Sequence, residues 1–442
     1  MGRGAVGIGL IGLGTIGTGV VKVLARNASV IEQRLGIPLR LVRVADLDLA
    51  RDRGIDLTGV RFDSDAQALI ADPRVEIVVE LIGGTGAARE LVLSAIERGK
   101  HVVTANKALL ALHGKEIFEA AAANGVDVAF EASVGGGIPI LRSMREGLSA
   151  NRIDSVHGIV NGTTNYVLTE MEETGAAFEV VLKRAQDLGY AEADPSFDVD
   201  GVDAAHKLTI LASMAFGAEL TYKDIPTEGI RQLAPLDFAA AREFGYRIKL
   251  LGIAKRREEG GAERLEVRVH PTMIPAASLL AKVDGAMNAI AVHGNAVGPT
   301  LFYGAGAGQM PTASAVVADL IEIAREIRRG SAGRVAPLSY LPESLRPWPL
   351  VPLAELRGRA YLCFTVEDRP GVLGHLATLL GEHDIGIESV IQQRSEARAG
   401  IVPVVVLTHP AREGDVRNAL ERIDRLHDVA APTRMIRIEE GL

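Results

Sequence analysis

The sequence predicts an α/β chain in three parts: a doubly wound parallel sheet, then an α+β region, then a ferredoxin-like βαββαβ module. Three observations carry this prediction. Over residues 5 to 150, short apolar runs alternate with longer amphipathic ones, as parallel strands alternate with helices. From about 151 that alternation gives way to consecutive helices and two long β-runs. Beyond a proline-rich stretch, the spacing of the last segments reads strand, helix, strand, strand, helix, strand.

The strands of the first part are "AVGIGLIG" (5–12), "LRLVRVAD" (39–46), "VEIVVELIG" (75–83), "HVVTA" (101–105) and "VDVAFEAS" (126–133), separated by helix-like stretches such as "KALLALHGKEIFEAAAANG". In the second part, "RIDSVHGIV" (152–160) reads as a strand, followed by helices at 163–174, 178–188 and 199–216. Two β-runs, "RIKLLGIAKR" and "RLEVRVHPTMI", are joined by the polar turn "EEGGAE". A helix at 311–330 closes the first domain. Residues 335–356 are an extended, proline-rich connector. The last module takes strands at 360–367, 386–394, 401–408 and 432–438 with helices at 370–383 and 411–425. The expected domains are 1–150 with 311–330, then 151–310, a linker over 331–357, and 358–442.

Composition excludes several function classes. A net charge of −8 gives no basic footprint for nucleic acid, and aromatic residues are too few for base-stacking platforms. Cys363 is the sole cysteine, which fits a reducing cytoplasm and excludes an intrachain disulfide framework. At the N-terminus Arg3 precedes an apolar run, but that run is punctuated by glycine and continues into a better-explained motif. No segment approaches the roughly 20 apolar residues of a membrane span.

That motif is "GLGTIG", Gly12-x-Gly14-x-x-Gly17, set directly between a strand and a helix. This context reads as the dinucleotide loop of a Rossmann-type domain. Gly12 allows the tight turn, Gly14 admits the pyrophosphate, and Gly17 permits close helix–sheet packing. Thr15 and Ile16 lie at the helix start, whose N–H groups and dipole face the phosphates. Asp46 ends the second strand, where a carboxylate accepts bonds from the ribose hydroxyls of NAD and repels a 2′-phosphate. Arg43, Arg51 and Arg53 are near enough in sequence to accommodate that phosphate, so NAD is favoured only slightly over NADP.

"DVDGVDAAHKL" (198–208) begins like a calcium loop. With Gly201 at loop position 6, position 12 falls on Lys207, a cation where the closing carboxylate belongs, and that excludes the reading. Asp203 and Lys207 are i and i+4 on one helix face, the spacing of a routine surface ion pair. The neighbourhood weighs against the routine reading. Glu192, Asp194, Asp198 and Asp200 lie just upstream, a density that suits recognition of an ammonium group. A lysine beside such a site can donate a proton to a developing alkoxide.

Nearly the whole chain resembles homoserine dehydrogenases of the type with a C-terminal ACT domain. The resemblance rests on "GLGTIG", "GKHVVTANKALLA", "FEASVGGGIPI", "GIVNGTTNYVL", "LGYAEADPSFDVDGVDAAHKL" and "YGAGAGQMPTASAV", in that order. It implies NAD(P)-dependent interconversion of L-homoserine and L-aspartate 4-semialdehyde. By resemblance, Lys207 is the proton donor and Asp203 its partner, which orients water or substrate. Glu192 binds the substrate amino group with Asp198 beside it, and Lys107 stands where nicotinamide and substrate meet. Gly84, Gly162 and Gly306 line the cofactor and substrate cleft, although each also reads as a plain turn glycine. "EASVGGGI" is similar to the family's monovalent-cation loop, with Glu131 and the carbonyls of Val134, Gly136 and Ile138 around Na⁺ or K⁺. A purely structural glycine turn is the alternative.

The resemblance also implies that the middle domain carries substrate binding and dimerisation, in a homodimer or homotetramer. "VEDRPGVLGHLATLL" (366–380) is similar to the ACT signature, and Asp368, Pro370 and Gly371 make its strand-to-helix turn. The implied effector is an amino acid, threonine as end product, and a ligand-free dimerisation module is the alternative. Aspartate-semialdehyde dehydrogenase acts on the same metabolite through a cysteine thioester, for which Cys363, mid-strand in the last module, is no candidate. Two other readings stand beside the enzyme: an amino-acid sensor without activity, and a dehydrogenase of a different small amino alcohol.

Overall fold

Short apolar runs buried on both faces build the central strands of the N-terminal sheet. The computed structural model describes residues 4–392 and 400–441. The sheet's strands are β1 (Val6–Ile11), β2 (Leu39–Ala45), β3 (Arg61–Asp63), β4 (Ile77–Glu80), β5 (His101–Thr104) and β6 (Val128–Ala129). Their order is β3-β2-β1-β4-β5-β6, and neighbours pair in parallel throughout. The order reverses between β1 and β4, so the loops after these two strands open at a topological switch point, where doubly wound sheets bind ligands.

Two details differ from the pattern in the sequence. The short edge strand β3, "RFD", has no apolar run to betray it. "VDVAFEAS" gives only two strand residues before Glu131–Ser133 turns into a 3-10 helix. The core runs from Val6, Ile8 and Leu10 of the sheet to Val20, Val316, Leu320 and Ile323 of two covering helices, Thr15–Arg26 and Gln309–Arg329.

The chain divides into two units. The first holds the residues up to Val156, His206–Asp224 and Asn288–Trp348; the second holds His157–Ala205, Ile225–Met287 and the chain from Pro349 onward. A hairpin that the apolar pattern did not reveal, Met287–Gly294 with Gly298–Ala305, lies in the first unit from Asn288 onward.

In the second unit the predicted β-runs form the long antiparallel pair Tyr246–Glu259 and Ala262–Pro275. Helix Pro235–Glu243, absent from the prediction, starts on a proline at its first position. The predicted helix 199–216 is broken: a one-turn helix, Ser196–Val199, is followed after Gly201 (φ +83°) by helix Val202–Phe216. A β-carbon at Gly201 would stand 2.9 Å from Thr227 Cγ2, so both the turn and the close approach demand glycine.

The C-terminal segment has the expected order: Arg357–Glu367, Val372–Glu382, Ile387–Gln392, Ile401–Thr408, Glu413–Ile423 and Val429–Ile438. Arg357–Glu367 lies between Val429–Ile438 and Ile401–Thr408, with Ile387–Gln392 at the edge. The last two positions of the predicted strand 386–394 lie outside the described residues. Val429–Ile438 also pairs in parallel with Ala262–Pro275, through Arg437 opposite Thr272 and Ile438 opposite Met273. The 335–356 connector contains only two short 3-10 turns, Pro342–Ser344 and Leu353–Glu355. Among the described residues, no helix is long and apolar enough to cross a membrane.

Candidate active site

The first unit carries the dinucleotide loop, and its three glycines have three different reasons. Gly12 has φ +96°, a left-handed backbone that favours glycine. A β-carbon on Gly17 would lie 2.1 Å from the Gly12 carbonyl oxygen. Gly14 is exposed and a β-carbon there would meet nothing within 4 Å. Thr15, also exposed, opens a helix with no side-chain cap, so its first-turn amides point at open space. Ile16 is half-buried beside them.

Asp46 is bound into this loop. Its Oδ2 accepts from the Leu13 amide at 2.5 Å, and its Oδ1 accepts from the Asp48 amide and from Arg53 Nη2. Arg53 also donates to the carbonyls of Leu13, Arg51 and Asp48. Of the other arginines, Arg43 is buried and spent on Asp63 and the Ala68 carbonyl, while Arg51 is exposed.

The loop after β4 is tied down by residues that sequence reasoning missed. Glu80 is fully buried; Oε1 accepts from the Ile82 and Gly83 amides, and Oε2 from Thr104 Oγ1 at 2.6 Å. Asn106 caps helix Lys107–Asn124 through Leu109 N and donates to the Gly84 carbonyl at 2.7 Å. Lys107 is therefore the first helical residue, beside a fixed glycine loop. The signals were present as a glutamate ending an apolar strand and an Asn N-cap.

Glu131, Val134, Gly136 and Ile138 also lie in the first unit. The Glu131 carboxylate is buried and accepts from the Leu141 and Arg142 amides at 2.9 and 2.8 Å. Burial pushes this carboxyl up. Burial and the nearby Glu131 charge push Asp319, which accepts from the Glu131 amide, up to about 8. Gly135 and Gly136 are both left-handed. A β-carbon on Gly136 would clash with the Gly306 carbonyl, and one on Gly306 would lie 2.0 Å from Asn288 Nδ2.

The second unit holds the acidic segment, and the structure divides what the sequence presents as one field of charge. Asp194 accepts from the Ser196 amide, and Asp200 pairs with Arg231. Glu192 is exposed on the loop before Ser196–Val199. Asp198 and Asp203 are brought together by Asn161, whose Nδ2 donates to Asp198 Oδ1 at 2.7 Å and to Asp203 Oδ2 at 2.8 Å. Asn161 also caps helix Gly162–Thr174, which Gly162 begins. Asp203, in this unit, is 2 % exposed; helix Val202–Phe216 continues into the first unit, where Lys207, one turn further along, is 8 % exposed. A buried aspartate and lysine at this spacing are not a solvated surface pair.

Cys363 is buried in strand Arg357–Glu367, and burial pushes its thiol up, which removes it as a nucleophile at neutral pH.

Comparison with known proteins agrees along the chain. The homoserine dehydrogenase family model matches residues 139–321, the homoserine dehydrogenase NAD-binding domain matches 12–131, and the ACT domain matches 361–425. A homoserine dehydrogenase of Pseudomonas aeruginosa is 49% identical over 95% of each chain, and that of Bacillus subtilis 38% over 95% of each. A crystal structure of the Thiobacillus denitrificans enzyme covers 99% of this chain and 98% of its own at 49% identity and TM-score 0.91. A hyperthermophilic archaeal homoserine dehydrogenase in complex with NADPH matches 72% of this chain and 97% of its own, at 25% identity and TM-score 0.59.

Proposed function

We infer that this chain, which belongs to the homoserine dehydrogenase family, is an oxidoreductase that reduces L-aspartate 4-semialdehyde to L-homoserine with NAD(P)H and runs the reverse reaction. One observation carries the reading: Asp203 and Lys207 are buried one turn apart on a helix whose start is tied to Asp198 through Asn161. When bound, the nicotinamide supplies the hydride. Lys207 gives a proton to the carbonyl oxygen as that oxygen becomes an alkoxide, and takes one back from homoserine in reverse. Asp203 orients the acceptor, Glu192 and Asp198 take the ammonium group, and Lys107 holds the substrate end beside the cofactor. Gly84, Gly162 and Gly306 leave backbone close to the ligands. Purified protein assayed with homoserine and NAD, then NADP, tests this; no reduction of either cofactor would sink the reading.

NAD is the favoured cofactor. Asp46 places a carboxylate at the end of β2, and four of the five Arg53 N–H donors are engaged within the protein, so little of that guanidinium is left for a 2′-phosphate. Faster turnover with NADP in the same assay would reverse the assignment.

Na⁺ or K⁺ fits the loop at Glu131. That carboxylate, with the carbonyls of Val134, Gly136 and Ile138, would hold the ion, and the ion would offset a negative charge that burial disfavours. The melting temperature is expected to be higher in KCl or NaCl than in tetramethylammonium chloride at equal ionic strength. Equal melting in all three salts would leave a structural glycine turn.

The C-terminal module is assigned to feedback by threonine, within a cytoplasmic homodimer or homotetramer. Its support is a charged clamp inside the second unit. Arg437 of the last strand donates to both Glu228 and Glu413, and Arg417 of helix Glu413–Ile423 donates to the same two carboxylates. The Glu228 segment in turn abuts the acidic one: the Ile230 amide donates to the Val199 carbonyl, and a β-carbon on Gly229 would stand 2.6 Å from Asp200 Cα. Burial alone would raise the Glu228 carboxyl, but the Arg437 and Arg417 guanidiniums outweigh it and hold the carboxyl at about 2. A depressed carboxylate contributes stability above its unfolded pKa and loses it as pH falls from about 4.3 through about 2. Glu228→Gln should flatten that acid limb in thermal melts and raise the threonine concentration for half inhibition about fivefold or more. An unchanged inhibition curve would detach the clamp from regulation.

A further inference from the structure

We propose that Asn161 is a positioning residue for carbonyl reduction: it fixes Asp198 and Asp203 as a pair of adjacent anions. The inference rests on the reaction assigned above.

The backbone creates the need. Asp198 and Asp203 are five residues apart, and on one continuous helix they would point about 140° away from each other. The break at Gly201 separates the short helix Ser196–Val199 from the start of Val202–Phe216, and one oxygen of each carboxylate then lies within hydrogen-bond reach of the same Asn161 nitrogen. Two carboxylates so close repel one another when both are charged, and a donor shared between them offsets that repulsion. The Asn161 amide nitrogen does so with its two hydrogens, one to each carboxylate, at 2.7 and 2.8 Å. These bonds place the two carboxylate oxygens roughly 5 Å apart, as the fork of a planar amide dictates.

The amide's orientation is fixed from its other end. Asn161 Oδ1 accepts from the Thr164 amide at 2.8 Å and from Thr164 Oγ1 at 2.9 Å, the N-cap of helix Gly162–Thr174. A flipped amide would set its oxygen against two carboxylates and its NH₂ against a backbone N–H. Asn161 is 5 % exposed, so water does not replace these bonds cheaply. One side chain therefore joins a helix N-terminus, the ammonium-facing carboxylate and the carboxylate one turn from Lys207.

Capping and clamping separate by substitution. Serine caps a helix about as well as asparagine, so Asn161→Ser should melt above Asn161→Ala, while Asn161→Asp, which keeps the cap but sets a third carboxylate against Asp198 and Asp203, should melt below Asn161→Ser. Neither Ser nor Asp supplies the forked donor. Asn161→Ser should lower kcat/KM for homoserine roughly tenfold to a hundredfold, with cofactor Kd unchanged. Asn161→Asp adds a third carboxylate and should shift the acid limb of the kcat/KM profile upward by about one pH unit or more. Wild-type kcat/KM in Asn161→Ser with an unshifted acid limb in Asn161→Asp would reduce the residue to a helix cap and overturn the proposal. If Asn161→Asp fails to fold, Asn161→Ser decides alone. Wild-type protein inactive on homoserine would instead overturn the assigned reaction, a separate outcome.

Discussion

Lys207→Ala is expected to lower kcat for homoserine oxidation by a factor on the order of 10² to 10⁴, the range spanned by a positioned general acid–base group. The fold should survive. Position 207 lies within helix Val202–Phe216, and alanine has the best helix propensity of any residue. The loss should fall on kcat and kcat/KM together, with the cofactor Kd unmoved, because the proton is transferred only in the transition state. Lys207→Arg is the sharper control. It keeps the charge, but a guanidinium with a pKa above 12 does not give up its proton at working pH, so this variant should be nearly as slow as alanine. An arginine variant at wild-type rate would show that only positive charge is needed there. An alanine variant at wild-type rate would remove Lys207 from the chemistry.

Much of the fold was legible because its signals are local. Parallel strands buried on both sides leave unbroken apolar runs, and helices between them leave period-3.6 patterns, so the doubly wound sheet and the βαββαβ module could be read directly. What escaped depends on contacts distant in sequence. The break falls at Gly201, which is left-handed and leaves no room for a β-carbon beside Thr227, a neighbour that nothing within 199–216 announces. Site residues followed the same division. Lys107, Glu192, Asp203 and Lys207 are nominated by motif resemblance alone, and the partition of the acidic cluster was not legible in the sequence. Asp200 belongs to Arg231, and Asp198 to Asn161, 37 residues upstream. Asn161 is not singled out by the sequence, and only the fold shows it capping helix Gly162–Thr174 while donating to both Asp198 and Asp203.

The glycine loop gives the second large effect, because its glycines should fail in different ways. Gly17→Val puts a β-carbon where the Gly12 carbonyl oxygen stands at 2.1 Å, between buried backbone groups that cannot yield. This overpacking should cost about 3 kcal/mol or more and appear as a fall in melting temperature or as insoluble protein. Gly14→Val meets nothing within 4 Å, and φ −71° lies outside the left-handed region that favours glycine. Its stability should therefore fall by only about 1 kcal/mol, since valine is a poorer N-cap than glycine but a stiffer unfolded chain partly offsets the loss. The open space at Gly14 is where the sequence motif puts the pyrophosphate, against the bare first turn of Thr15–Arg26. A valine side chain filling it should raise the Kd for NAD or NADP about a hundredfold or more, by fluorescence or calorimetric titration, in a protein that melts close to wild type. A Gly14→Val protein that binds cofactor normally would mean the phosphates lie elsewhere. Co-loss of folding would mean that Gly14 serves the chain itself, as Gly17 does.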